Sequence, residues 1–228
     1  MTDTPPSDTR GIVDPATMMR HVAFERYPAG DVLDGIVEWF WSVAWELPAG
    51  FVHDQFVLNH PAGNISIGTL DDRGVPLDPA EGRVYGVQQG LSRRRLSDTG
   101  WTVAARTAVG GLGVFLDGPA KPANDAELAL SAIPGLDADD VIGSVSAPEG
   151  NAARTDRLRD ALAAVVERRS PELVAEAREV VRVARLAERD RSVRRVEQLA
   201  EAAGVSVRTL QRLFDLAMER VPWSYDET

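Results

Sequence analysis

Cysteine is absent from this sequence of 228 residues. Disulfide bonds and thiolate zinc sites are therefore excluded, and so is a secreted disulfide scaffold. Histidine is scarce, with only His21, His53 and His60 in the whole chain. His53, Asp54 and His60 could place ligands on adjacent strands, but surface or packing roles are the simpler interpretation. We expect no metal and no cofactor.

Catalytic signatures and long apolar runs are also missing. No Ser/His/Asp set stands in a motif context, and the glycines before Leu116 lack the third glycine of a dinucleotide loop. The best apolar run, 36–47, is interrupted by Glu38 and Glu46, so we expect no membrane span. The polar segment 1–14 lacks a signal pattern. These features predict a cytoplasmic protein that is not an enzyme.

Acidic residues outnumber basic ones, and the net charge is -10. The two parts of the chain differ in this respect. Residues 1–150 hold 10 Lys/Arg and 21 Asp/Glu, a balance of -11, whereas residues 151–228 hold 15 and 14, a balance of +1. Only the second part is close to neutral, so a nucleic-acid partner would bind there.

The composition changes near residue 150. Before it, short apolar segments alternate with Gly- and Pro-containing turns, which predicts a β-rich barrel or sandwich. After it, Ala, Arg, Glu, Leu and Val dominate, which predicts helices. We therefore expect an α+β protein with a β-rich domain at 1–150, a helical linker at 151–190 and a C-terminal unit at 191–228. Leu112–Leu116 is interpreted as a strand or another short element, and 124–133 as a short helix.

The linker has one helix over 152–168 and a second that starts at the Ser170-Pro171 cap. Five apolar residues of the second helix follow heptad spacing: Leu173, Ala177, Val180, Ala184 and Ala187. The pattern is compatible with packing inside the chain and with a homodimer seam, and both interpretations stay open.

The C-terminal unit has the pattern of a helix-turn-helix. Ser192 is the predicted start signal, and two short helices cover Val193–Ala203 and Val207–Met218. Gly204 suits the left-handed turn between them, and Ser206 suits the cap of the second helix. A helical hairpin without a nucleic-acid role is the alternative.

Polar side chains on the second helix lie away from its apolar stripe. Arg208, Gln211 and Arg212 suit contacts with base edges or phosphates in a major groove. Ser206 and Thr209 could bond a phosphate or support the cap. These five residues are the predicted contacts with double-stranded DNA.

The run LAEAAGVSVRTLQRLF, residues 199–214, closely resembles the first helix-turn-helix of AraC-type (AraC/XylS family) regulators. By this resemblance, Arg208, Gln211 and Arg212 match the family's groove-facing positions. The family's DNA-binding unit carries two such motifs, whereas the segment 221–228 departs from the family pattern. We therefore expect a fragment or a truncated regulator that lacks the second motif.

Four upstream segments resemble the sensor half of one AraC-like subgroup: 27–28, 33–41, 57–64 and 110–116. The resemblance implies a cupin-like β domain that binds a small-molecule effector. Ligand pockets favour apolar walls, and the aromatic residues predicted to line one are Trp39, Trp41, Tyr85, Trp101 and Phe115. Packing in the core is the alternative for these side chains.

Three functions follow from these features. The first is a DNA-binding transcriptional regulator with an effector-sensing domain. The second is a truncated interaction protein that dimerises with intact regulators. The third is a small-molecule-binding β-barrel protein.

Overall fold

The computed structural model describes residues 13–58, 61–71, 73–88, 90–118, 120–190 and 192–217. The predictions for His60, for the helix end at Met218 and for 221–228 therefore lie outside the described residues. The strands are β1 (Val22–Tyr27), β2 (Val37–Glu46), β3 (Val52–Val57), β4 (Asn64–Leu70), β5 (Pro76–Tyr85), β6 (Ser92–Ser97), β7 (Thr99–Thr107) and β8 (Glu127–Ala129). The helices are α1 (Pro15–Met18), α2 (Leu112–Leu116), α3 (Ala138–Ser146), α4 (Asn151–Glu167), α5 (Pro171–Arg189), α6 (Val196–Ala203) and α7 (Val207–Ala217).

The architecture is α+β, with an N-terminal antiparallel sheet and C-terminal helices. Six strands form the sheet in the order β1-β2-β7-β4-β5-β8, and β3 pairs with β6 in a separate two-stranded ribbon. In the described part of the chain, β1 and β8 are the sheet edges and do not pair with each other. The barrel, one of the two expected architectures, therefore does not close over the described residues.

The sheet has two differently covered faces. Its helix face carries Phe40 and packs against α4, whose Arg159 guanidinium lies 5.1 Å from the Phe40 ring centre. Its ribbon face carries Trp45, whose indole nitrogen donates to the Ser97 carbonyl of β6 at 2.9 Å. Leu96 of β6 is buried with Trp45 in one apolar cluster. The ribbon therefore covers part of the second face.

The main core joins the sheet to the first linker helix. Leu158, Leu162, Val165 and Val166 of α4 belong to the same buried cluster as Phe40. Their spacing of three and four residues places them on one helix face, and that face is buried on the sheet. The predicted linker thus consists of two helices, and the first of them shares a core with the sheet.

The strand interpretation of Leu112–Leu116 and the helix predicted at 124–133 were wrong. Leu112–Leu116 is the helix α2, because Gly110 turns the chain at φ 88° and the next turns are buried in the core. The segment 124–133 contains β8 followed by a 3₁₀ turn, because Glu127–Ala129 pairs with β5 at the sheet edge. In the second case the pairing outweighs a capping pattern that is only local.

The predicted start of α5 is confirmed, whereas the predicted start of α6 is wrong. Ser170 and Pro171 begin α5 as predicted, with the Ser170 hydroxyl accepting from the Leu173 amide. Ser192, in contrast, does not begin α6: its amide and hydroxyl both donate to Asp190. The Asp190 carboxylate competes for this serine, and α6 starts three residues beyond Val193.

Candidate nucleic-acid interface

The turn between α6 and α7 is set by Gly204. This residue ends α6 in the left-handed conformation, at φ 72° and ψ 27°, and its amide donates to the carbonyl groups of Ala200 and Glu201. Ser206 follows, and its hydroxyl accepts from the Thr209 amide at 3.1 Å. Glycine adopts this conformation without steric cost, and serine satisfies an amide that the helix leaves unpaired. The predictions for Gly204 and for the Ser206 cap are confirmed.

One side of the α6–α7 unit is buried against α5. Leu199 and Ala200 of α6 and Leu210 and Phe214 of α7 lie in one cluster with residues of α5. Phe214 is 1% exposed. This packing fixes the rotation of α7 about its own axis and therefore decides which side chains face outward.

The opposite side of α7 carries the predicted DNA contacts. Arg208, Gln211 and Arg212 are exposed, and their spacing of three and four residues places them on one helix face. Ser206 and Thr209 are hydrogen-bonded to each other, with 2.9 Å between their hydroxyl oxygens. These two residues form the helix start beside the exposed face, and the DNA-binding roles of all five stay predictions.

An ion pair on α5 meets the end of α6. Arg182 donates to both carboxylate oxygens of Glu179, at 2.8 and 2.6 Å, and to the Ala203 carbonyl at 3.2 Å. The hydrogen bonds from Arg182 lower the pKa of Glu179, and its charge adds to the effect while burial opposes it. No local sequence pattern predicts this contact, because Arg182 and Ala203 are 21 positions apart.

The heptad residues of α5 are largely covered by the chain itself. Ala177 lies in the sheet core, and Val180 and Ala184 lie in the cluster beneath α7. Ala187 packs against that second cluster, and Leu173 is half-buried. This arrangement agrees with the interpretation of packing inside the chain. A homodimer seam through the same residues stays a prediction.

The five predicted pocket residues do not share one face of the sheet. Trp39, Trp41 and Tyr85 lie on the ribbon face, since Trp39 is paired with Arg106 and Tyr85 with Asn64 of the neighbouring strands. Trp101 and Phe115 instead pack in the core on the helix face. The effector-binding role of these residues stays a prediction, and Trp39, Trp41 and Tyr85 are the three that lie on one face.

Two arginines that the sequence did not single out flank Trp39. Arg26 of β1 and Arg106 of β7 place their guanidinium carbons 4.5 and 4.6 Å from the Trp39 ring centre. Because β1 and β7 lie on either side of β2, the guanidinium groups approach from opposite sides. Such stacking is favourable for a cation on an indole.

A carboxylate completes this group. Glu38 Oε2 lies 2.9 Å from Arg106 Nε. Burial raises the pKa of Glu38, and the positive charge of Arg106 opposes the rise. Burial also lowers the pKa of Arg106. The end of the ribbon face thus combines an aromatic ring with a partly buried ion pair.

The other half-buried aromatic residues border the same face. The Trp41 indole nitrogen donates to the Asn64 side-chain oxygen at 3.3 Å, and Arg94 of β6 lies 5.0 Å from the Tyr85 ring centre. In the ribbon, Arg93 and Arg95 point the other way and pair with Asp54. The three consecutive arginines of β6 therefore divide between the two faces of the strand.

Metal and membrane sites were tested on the described residues. The His53 ring lies 5.3 Å from the His21 ring, whereas Asp54 is bound to arginines. Across the described ranges, no group of three or more His, Cys, Asp or Glu is arranged to hold a metal ion. No helix in that part of the chain has the length and apolar character of a membrane span.

Comparisons with known proteins add little. No protein-family model matches the chain, and no curated protein sequence does. One similar solved structure is described as "Crystal structure of the AraC-like transcriptional activator CuxR". It is 16% identical over 88% of this chain and 82% of that chain, with a TM-score of 0.26. At this TM-score the similarity supports no conclusion about fold or function.

Proposed function

We propose that this chain is a transcriptional regulator that binds double-stranded DNA through α7. The single observation that carries the proposal is the exposed face formed by Arg208, Gln211 and Arg212, on a helix whose other side is buried. Arg makes bidentate contacts with guanine, and Gln does so with adenine. The left-handed turn at Gly204 and the capped start at Ser206 are the features that a helix-turn-helix requires.

The proposal has a second part, which is that the β-rich part of the chain binds a small-molecule effector, and the ribbon face supports it. Trp41 and Tyr85 are half-buried there, with Arg94 above Tyr85 and the buried Ser66 between their strands. Apolar walls with a few polar groups are typical of small-molecule sites. We propose that an aromatic or anionic effector binds between the sheet and the β3–β6 ribbon.

DNA binding is tested with the purified full chain and a pool of random-sequence duplexes. We expect selection to enrich a common site, with an affinity that falls as salt increases, since phosphate contacts release counterions. Arg212→Ala should weaken binding to that site by about five- to 150-fold. Arg157→Ala is the matched control, because it removes an equal charge from an exposed position on α4.

Two outcomes would reject the proposal. One is that no duplex is enriched by the folded chain. The other is that Arg208→Ala and Arg212→Ala change the affinity no more than Arg157→Ala does, which would leave α6 and α7 as a helical hairpin without a role in DNA binding.

A further inference from the structure

A residue from the turn after β7 lies in the apolar cluster beneath α7. The buried members of this cluster are Val109, Val180, Val183, Ala184, Val193, Leu199, Ala200, Leu210 and Phe214. All of them except Val109 belong to α5 or to later residues. Val109 is 7% exposed and stands in the turn between β7 and α2. Besides residues of α5 and of the later helices, the cluster on which α7 packs therefore includes one residue from the turn that follows β7.

The turn that carries Val109 is held tightly in place. The Ala108 amide donates to the Ile36 carbonyl at 2.8 Å, and the Gly111 amide donates to the Ala108 carbonyl at 2.8 Å. A Cβ atom on Gly111 would lie 2.1 Å from the Ile36 oxygen, so only glycine permits this approach. Gly110, which lies between Val109 and Gly111, adopts a φ of 88° and reverses the direction of the chain. Val109 is thus presented to the cluster from a fixed backbone.

Helix α5 is fastened to the same region. Arg178 donates to the Val32 carbonyl at 3.3 Å and to the Asp34 carbonyl at 3.2 Å, in the segment that leads to Ile36. One turn further on, Arg182 donates to the Ala203 carbonyl at the end of α6. Helix α5 is therefore hydrogen-bonded both to the segment that precedes β2 and to the end of α6.

We propose that Val109 is a positioning residue for DNA binding, which sets the orientation of α7 according to the position of the end of β7. The inference rests on the proposed function, since α7 is its DNA-binding helix. Strand β7 also carries Arg106 on the ribbon face, three residues before Val109. A ligand that moves this end of β7 would shift the support of α7 directly, in addition to any movement of the linker helices.

Hydrogen exchange measured on the full chain tests the inference without DNA. Val109→Ala removes two methyl groups from the cluster, and we expect exchange in 196–214 to rise by about five- to thirtyfold. The matched control is Val103→Ala, since Val103 lies six residues before Val109, within β7, and belongs to the sheet core. That variant should raise exchange in the sheet strands first. Val109→Ile, which keeps the apolar contact, should restore protection in 196–214.

A distance measurement separates positioning from general destabilisation. Because the chain has no cysteine, Thr99→Cys and Ala202→Cys introduce the only two thiols, both at exposed positions. Spin labels there should give one narrow distance distribution in the parent chain. Val109→Ala should broaden or shift it, and Val103→Ala should not. If Val109→Ala does not fold, Val109→Thr serves instead, since it keeps the side-chain volume but places a hydroxyl group in the apolar cluster.

The outcomes are distinguishable. Unchanged exchange and an unchanged distance in folded Val109→Ala or Val109→Thr would overturn the inference, and so would equal effects of Val109→Ala and Val103→Ala. If Val109 controls the distance but the parent chain binds no duplex, the positioning contact stands and the proposed function fails. If both hold, Val109→Ala should also reduce the affinity for the selected duplex while Val109→Ile retains it.

Discussion

Arg182 joins α5 to the last turn of α6 by donating to the Ala203 carbonyl at 3.2 Å. Carbonyl groups at a helix C-terminus have no partner within the helix, so a cation from another element stabilises them. Glu179 keeps the guanidinium in position through two hydrogen bonds. The ion pair therefore does more than neutralise charge on a helix surface. It orients the Arg182 guanidinium, which donates to the carbonyl at the end of α6.

The first prediction concerns the pH dependence of this contact. Because Arg182 lowers the pKa of Glu179, the ionised carboxylate stabilises the folded state. The contribution is complete above the ordinary glutamate value of 4.5 and is lost as the pH falls through the lowered value. Glu179→Gln should therefore unfold at lower urea concentration than the parent chain near neutral pH, and the difference should vanish in acid.

Glu38→Gln is the control with the opposite sign. Burial raises the pKa of Glu38, so its ionised form disfavours the folded state as the pH rises from 4.5 through the raised value. The parent chain should lose stability relative to Glu38→Gln over that interval. If the stability of both variants relative to the parent chain changed with pH in the same direction, the opposite pKa shifts assigned to Glu179 and Glu38 would be contradicted.

Local signals explain which parts of the C-terminal half were predictable. Helix capping depends on residues within one turn, and Ser170, Gly204 and Ser206 act as their types predict. The exposed face of α7 follows from the same short-range periodicity. The prediction that Ser192 begins α6 was wrong, because the Ser192 hydroxyl donates to the carboxylate of Asp190, two residues before it. A single strong acceptor two residues away was enough to move the helix start.

The N-terminal half depended on contacts that no local pattern specifies. Trp39 and Trp41 share a face with Tyr85 only because of the strand order, and a register shift between Val37 and Trp39 decides which face that is. Trp101 lies on the other face for the same reason. Sequence alone could therefore identify the aromatic residues but could not divide them between a core and a candidate pocket.

The second prediction tests that division. The aromatic anion 8-anilinonaphthalene-1-sulfonate should bind the folded chain saturably at the ribbon face, where Trp41 and Tyr85 lie near Arg94. Trp41→Ala should weaken binding by at least about tenfold, because it removes part of the apolar wall. Energy transfer from tryptophan to the bound dye provides the measurement.

Trp101→Phe is the control for this experiment. Trp101 packs on the helix face, where Arg154 lies 4.3 Å from its ring centre. Dye affinity should be unchanged in this variant after correction for the lost donor. Equal losses in Trp41→Ala and Trp101→Phe would place the dye elsewhere or attribute its binding to loosened packing.

The third prediction compares two buried threonines with different partners. Thr155 of α4 and Thr107 of β7 are both 0% exposed. The Thr107 hydroxyl accepts from the Gly63 amide at 3.0 Å and lies 3.3 Å from the Gly63 carbonyl. The Thr155 hydroxyl has no hydrogen-bond partner within the described ranges. The same substitution by valine should therefore have opposite consequences at the two sites.

Thr107→Val leaves the buried Gly63 amide unsatisfied and should lower the free energy of unfolding by about 1–3 kcal/mol. Thr155→Val replaces an unsatisfied buried hydroxyl with a methyl group of similar size and should leave that free energy unchanged or raise it by about 1 kcal/mol. Urea unfolding of both variants under one condition makes the comparison, since the change in volume is the same. A loss at Thr155 equal to that at Thr107 would show that the α4 hydroxyl is bonded in solution, and the packing of α4 on the sheet would then include a polar contact.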